Sequence, residues 1–170
     1  AGLSFDLQCA PAQLKAAAEL AGRHPDVKVV IDHLGKPRRV LGEDSSADEP
    51  DEAEMTVWRE GMKAMAALPN VYVKISMLGY AVPGWHDDER KEKVLRDIVL
   101  ETVEMFGPGR CMAATNWWAG AAASDSDGNV ETGPTPTYLL EKMNGWLGGY
   151  SDEDRAKIFV GTGKEFYKVE

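Results

Sequence analysis

Apolar and polar positions along this chain alternate between period two and helical spacing, and each switch predicts a strand giving way to a helix. Residues 3–8 alternate, with Leu3, Phe5 and Leu7 on one face and Asp6 and Gln8 on the other, which predicts a strand. Pro11 suits a first helical turn, and Leu14, Ala17, Ala18 and Ala21 supply an apolar stripe to about Arg23. After the turn at His24-Pro25-Asp26, residues 27–32 are β-branched and apolar on both faces. That composition predicts a strand inside a parallel sheet, ended by Gly35 and Pro37.

The same alternation continues. A helix is expected from about Ala53 to Leu68, with Met55, Trp58, Met62 and Met65 as its buried stripe. Residues 71–76 predict a third strand, with Tyr72, Lys74 and Ser76 opposite Val71, Val73 and Ile75. The acids after His86 open another helix, which buries Val94, Leu95, Ile98, Val99, Val103 and Phe106 and stops at Gly107. Small residues dominate a fourth strand at 111–116. A long loop over 119–137 is a candidate lid, and helices follow at 138–147 and from Ser151, with Phe159, Phe166 and Tyr167 packing at the end.

Strand–helix alternation of this kind calls for a parallel sheet with right-handed crossovers in one domain spanning residues 1–170. A four-stranded flavodoxin-like layer and half of a TIM (β/α)8 barrel both satisfy it. The 170 residues fall short of the roughly 250 of a complete barrel. No fixed-period repeat is present.

Charge narrows the partners. Nineteen Lys and Arg against 28 Asp and Glu give a net charge of −9, which repels nucleic acid and anionic membrane and says nothing positive about the substrate. No apolar run reaches the length of a membrane span. Cys9 and Cys111 fall at opposite ends of a parallel sheet, so free thiols and a reducing, cytoplasmic setting are expected. Because the chain starts at Ala1 without an initiator Met or signal peptide and enters a strand at once, the natural start is expected upstream.

Candidate chemistry gathers at the carboxyl ends of the strands, where α/β folds place their sites. Those ends deliver Gln8, His33, Lys74, Ser76 and Asn116 to one mouth, with Trp117 and Trp118 beyond the last strand. A lysine on an inner strand face needs an anion or solvent. His24 and His86 are read as surface or capping residues. The acidic run from Glu43 to Glu54 is a solvated loop on the same rim. Asp125-Ser126-Asp127-Gly128-Asn129 lacks calcium-loop spacing, and Gly161-Thr162-Gly163-Lys164 lacks that of a phosphate loop.

Asp32-His33-Leu34-Gly35-Lys36-Pro37 resembles the D-H-x-G-K-P segment of the amidohydrolase-2 group, TIM-barrel hydrolases and decarboxylases that include lactonases. Residues 2–8, 69–76, 106–112 and 166–167 resemble further segments of that group in the same order. The resemblance selects the half-barrel: the last four β/α units, with the N-terminal half-barrel and its H-x-H pair lying upstream. The exposed edges of an isolated half invite pairing, which leaves room for a homo-oligomer.

By resemblance, the substrate is a small molecule, and His33 binds its carbonyl or a metal. Thr115-Asn116-Trp117 stands where the family often reads S-D-W or S-N-F/W, the Asp in the former holding metal or activating water. An amide takes no proton at neutral pH and is a poorer metal ligand. Three expectations follow, in order. First is a hydrolase of a lactone or other carboxylic ester, with catalytic residues His33 and Asn116 and with Gln8, Lys74, Ser76 and Trp117 binding substrate without a cofactor. Second is a metal-dependent (zinc) decarboxylase or hydrolase with His33 as ligand. Third is a non-catalytic relative.

Overall fold

The structure is a computed structural model, which describes residues 2–38, 40–42, 46–116 and 134–169. Its described residues form one four-stranded parallel sheet in the order β1 (Phe5–Leu7), β2 (Val29–Ile31), β3 (Val71–Ile75) and β4 (Cys111–Ala113). Asp6 pairs with Val30, Val30 with Tyr72, and Lys74 with Met112. The strands occupy the predicted positions but are shorter. β2 stops where the backbone turns left-handed at His33, and β4 stops short of Asn116, itself at φ 40°.

Helices α1 (Leu14–Arg23), α2 (Glu52–Ala66) and α4 (Glu89–Phe106) pack on the face of Val29, Ile31, Val71, Val73, Ile75 and Cys111. A 3₁₀ turn at Pro11–Gln13 precedes α1, and a four-residue helix α3 (Leu78–Ala81) follows β3. Met55, Trp58, Met62 and Met65 are fully buried, as their spacing predicts. Asp51 caps α2 by accepting from the amides of Ala53 and Glu54 at 2.9 and 3.2 Å. The helix expected from His86 starts three residues later, because Trp85–Asp87 forms its own 3₁₀ turn and Asp88 supplies the N-cap.

Two polar side chains fasten the end of the sheet remote from His33. The Arg110 guanidinium donates to the carbonyls of Ala66 (2.9 Å), Leu68 (2.8 Å), Val71 (3.1 Å) and Phe106 (3.0 Å). It thereby caps the C-terminus of α2 with a fork that lysine could not match. Asn70 Nδ2 donates to the carbonyl of Val27 at 2.9 Å, fixing the entry into β2.

Helices α5 (Pro136–Trp146), α6 (Asp152–Ala156) and α7 (Thr162–Tyr167) complete the chain, the last two joined by a π-helical segment at Lys157–Gly161. Gly161 closes the π-helical segment and Thr162–Lys164 open α7, so no phosphate loop forms there. Helix α7 lies under the opposite face of the sheet: Phe166 packs on Val30, Tyr72 and Met112, edge-on to the Tyr72 ring at 4.9 Å. β1 is an open edge. Phe5 (55 % exposed) and Leu20 (54 %) flank an apolar groove of about 320 Å³ between β1 and α1, lined also by Leu7, Ala17 and His24. His24 thus sits at the far end from His33. No described helix is long and apolar enough to cross a membrane.

Candidate functional site

Three of the four strands, β2, β3 and β4, end in unusual backbone. His33, Leu34 and Lys36, with Gly35 between them, all have positive φ (51° to 68°), as do Met77 after β3 and Asn116 after β4. Such conformations cost non-glycine residues about 1–2 kcal/mol each and persist only where the surroundings enforce them. Here the enforcement is visible. The Trp58 indole N–H donates to the Leu34 carbonyl at 2.7 Å, and Gly35 is so enclosed that an added Cβ would stand 2.8 Å from Met62 Sδ.

This turn presents His33 to β3. Its Nδ1 lies 2.8 Å from Ser76 Oγ, and Ser76 is buried. Burial pushes the His33 pKa below its ordinary value, Asp32 opposes, and Lys36 and Lys74 reinforce the fall. The ring is therefore neutral at pH 7. With Nδ1–H donated to Ser76, Nε2 keeps its lone pair for a proton or a metal; in the other tautomer Nε2–H is a donor.

Lys74, expected to line the substrate site, is held by two carboxylates. Its ammonium lies 2.5 Å from Asp6 Oδ2 and 3.0 Å from Asp32 Oδ1, and the Tyr167 hydroxyl donates to the same Asp6 oxygen at 2.7 Å. Burial alone would lower the Lys74 pKa, but these partners outweigh it and hold the group above the usual lysine range. Asp32 Oδ1 has no well-aligned hydrogen bond, so its compensation is the ion pair itself. The alternation placed Asp6 and Lys74 on one face; their pairing, and Tyr167 beneath them, are findings of the structure.

The remaining candidates divide. Asn116 is half-buried at the same end of the sheet, and among the described residues it is not hydrogen-bonded to His33. Gln8 joins a cleft of about 240 Å³ with Cys9, Ala10, Lys36, Arg38 and Tyr80, a group that sequence reasoning missed. Lys36 Nζ stands 4.7 Å and Arg38 Cζ 5.8 Å from the centre of the Tyr80 ring. The signals for this cleft were Gln8 at the end of the first strand and Lys36 in the segment after His33. His86 is bound locally, its Nδ1 2.9 Å from Asp87. Trp117, Trp118 and residues 119–133 of the candidate lid lie outside the described residues. Cys9 and Cys111 are free thiols, Cys111 with its pKa pushed up to about 12 by burial.

No three His, Cys, Asp or Glu side chains converge on a metal-sized space among the described residues. His33 alone offers an imidazole at the mouth, and the nearby Asp32 is committed to Lys74. Taken alone, these side chains do not make a zinc site, which needs three or four ligands.

Four parallel β/α units with polar groups at their carboxyl ends define a barrel-type α/β chain, and residues 1–169 match the amidohydrolase family model. The chain belongs to the amidohydrolase family. Over 168 residues it is 30 % identical to the uncharacterized protein y4mH of Sinorhizobium fredii, covering 99 % of this chain and 48 % of that protein. It is 27 % identical to the L-fucono-1,5-lactonase of Burkholderia ambifaria over 99 % of this chain and 51 % of the lactonase. A solved amidohydrolase from Burkholderia multivorans with bound zinc superposes with a TM-score of 0.79 at 21 % identity, covering 98 % of this chain and 53 % of that one. The likeness shows the fold to be half of a TIM barrel, and the chain spans about half the length of the curated relatives it matches.

Proposed function

We propose that the protein carrying this chain hydrolyses a lactone or related carboxylic ester, and that these residues supply the last four β/α units of its barrel. The observation that carries the reading is the His33–Ser76 contact of 2.8 Å, built on left-handed backbone at the carboxyl ends of adjacent strands. Its support from relatives is the likeness to L-fucono-1,5-lactonase.

In this reading His33 is neutral, donates Nδ1–H to Ser76 and directs Nε2 at the substrate. Nε2 takes a proton from water as the water oxygen bonds to the acyl carbon. When the tetrahedral intermediate collapses, the C–O bond to the ring oxygen breaks and His33 returns the proton to that oxygen. Carboxylic acid and alcohol then stand on one opened chain. Asn116 holds a hydroxyl or the carbonyl oxygen by its amide. Lys74, neutralised by Asp6 and Asp32, orders the floor beneath and does not react.

The zinc in the Burkholderia multivorans structure favours a second reading, metal-assisted hydrolysis. In that reading His33, oriented through Nδ1 by Ser76, would offer Nε2 as one ligand to a metal that polarises the acyl carbonyl or activates water. The remaining ligands then come from outside the described residues.

A screen of the full-length protein against sugar and dicarboxylate lactones tests the proposal. Hydrolysis is expected, with turnover lowered at least about 10-fold in His33→Ala, the low end for a positioned acid–base group. Turnover unchanged in a folded His33→Ala protein returns the imidazole to a structural role.

A further inference from the structure

We infer that the cleft of Gln8, Lys36, Arg38 and Tyr80 is a subsite for a carboxylate on the substrate, so that the lactone or ester hydrolysed is an anionic one. This rests on the hydrolase reading above and names the class of its substrate.

The first ground is position. The cleft is lined by residues following β1, β2 and β3, on the same rim as His33. Lys36 belongs to the left-handed turn that presents the imidazole, and its backbone N–H donates to the His33 carbonyl at 2.8 Å. A group bound beside Lys36 is thereby held close to the reacting centre.

The second ground is charge. In a chain of net charge −9, two cations share one tyrosine ring, and among the described residues neither forms an ion pair with a carboxylate. Holding like charges together is unfavourable, and Tyr80 compensates through its ring face. An incoming anion relieves the repulsion in full.

The third ground is shape and donor type. The Arg38 guanidinium forks onto a planar carboxylate, Lys36 is half-buried and adds a point charge, and Gln8 adds a neutral amide. About 240 Å³ suits one acid group and part of its carbon frame rather than a whole large ligand.

Two lactones of the same ring, one neutral and one bearing a carboxylate, test the inference on the full-length protein. The wild type is expected to prefer the acidic lactone in kcat/KM. Lys36→Gln and Arg38→Gln should each cut that preference at least about 10-fold, chiefly through KM. Lys164→Gln, which removes an equal charge from an exposed position on α7, should leave it intact. An unchanged preference in both cleft variants overturns the subsite. If neither lactone is hydrolysed, the hydrolase reading fails on its own, and calorimetric titration with glutarate and with inorganic phosphate decides the subsite. Glutarate binding weakened about 10-fold in Arg38→Gln sustains it. Phosphate binding tighter than glutarate, or no binding of either, overturns the carboxylate assignment.

Discussion

The His33 imidazole and the Ser76 hydroxyl meet at 2.8 Å across 43 residues of sequence, each delivered by the end of its own strand. Removing the hydroxyl leaves the ring without the partner that selects its tautomer. Ser76→Ala is therefore expected to lower kcat by about 10-fold with KM nearly unchanged, the scale on which orienting partners of histidines count. Steady-state kinetics check this. A shift in KM alone would place Ser76 in substrate binding instead.

Acid should weaken the fold through His33. Burial lowers its folded pKa below the roughly 6.5 of an unfolded histidine. As pH falls below about 6.5 the unfolded chain binds the proton first, so stability is fully present above that pH and is lost below it. The loss stops once the folded ring also protonates. Thermal melts between pH 7.5 and 4.5 should show a drop in Tm that His33→Gln reduces; equal curves would mean that other groups govern acid sensitivity.

At Asn116, replacement by Asp adds one carboxylate near one imidazole, which is two ligands where zinc needs three or four. Asn116→Asp in this chain is expected to carry no stoichiometric zinc after dialysis. Metal analysis decides the point, and stoichiometric zinc would show that further ligands converge there.

Gly35→Ala should destabilise the chain without touching the mouth directly. The position has φ 68°, and a Cβ there would press on Met62 Sδ at 2.8 Å and Leu14 Cδ1 at 3.2 Å. Left-handed strain of about 1–2 kcal/mol and overpacking of about 1–3 kcal/mol predict a clear fall in the urea midpoint. A midpoint equal to wild type would mean that the turn relaxes freely.

Period and composition made the sheet legible. The β-branched run before His33 could only be a covered strand, and the Met and Trp spacing of α2 could only be core. Alternation also placed Asp6, Lys74 and Ser76 on one face. It could not show which charge meets which, because the contacts that settle Lys74 come from a strand and a terminal tyrosine far away in sequence. The cleft at Tyr80 was hidden for a related reason: Lys36 and Arg38 read as ordinary loop cations until the fold laid an aromatic ring beneath them.

The placement of α7 carries a consequence for synthesis. Phe166 covers Val30, Tyr72 and Met112, and Tyr167 reaches Asp6 across 161 residues. During translation the strands emerge and can pair one after another, yet the side of the sheet bearing these residues stays wet until Tyr167 clears the ribosome. Contacts of such long sequence separation slow folding. A nascent chain stalled before Phe166 would present a bare apolar patch, with Asp6 held by Lys74 alone, a form suited to capture by chaperones or proteases.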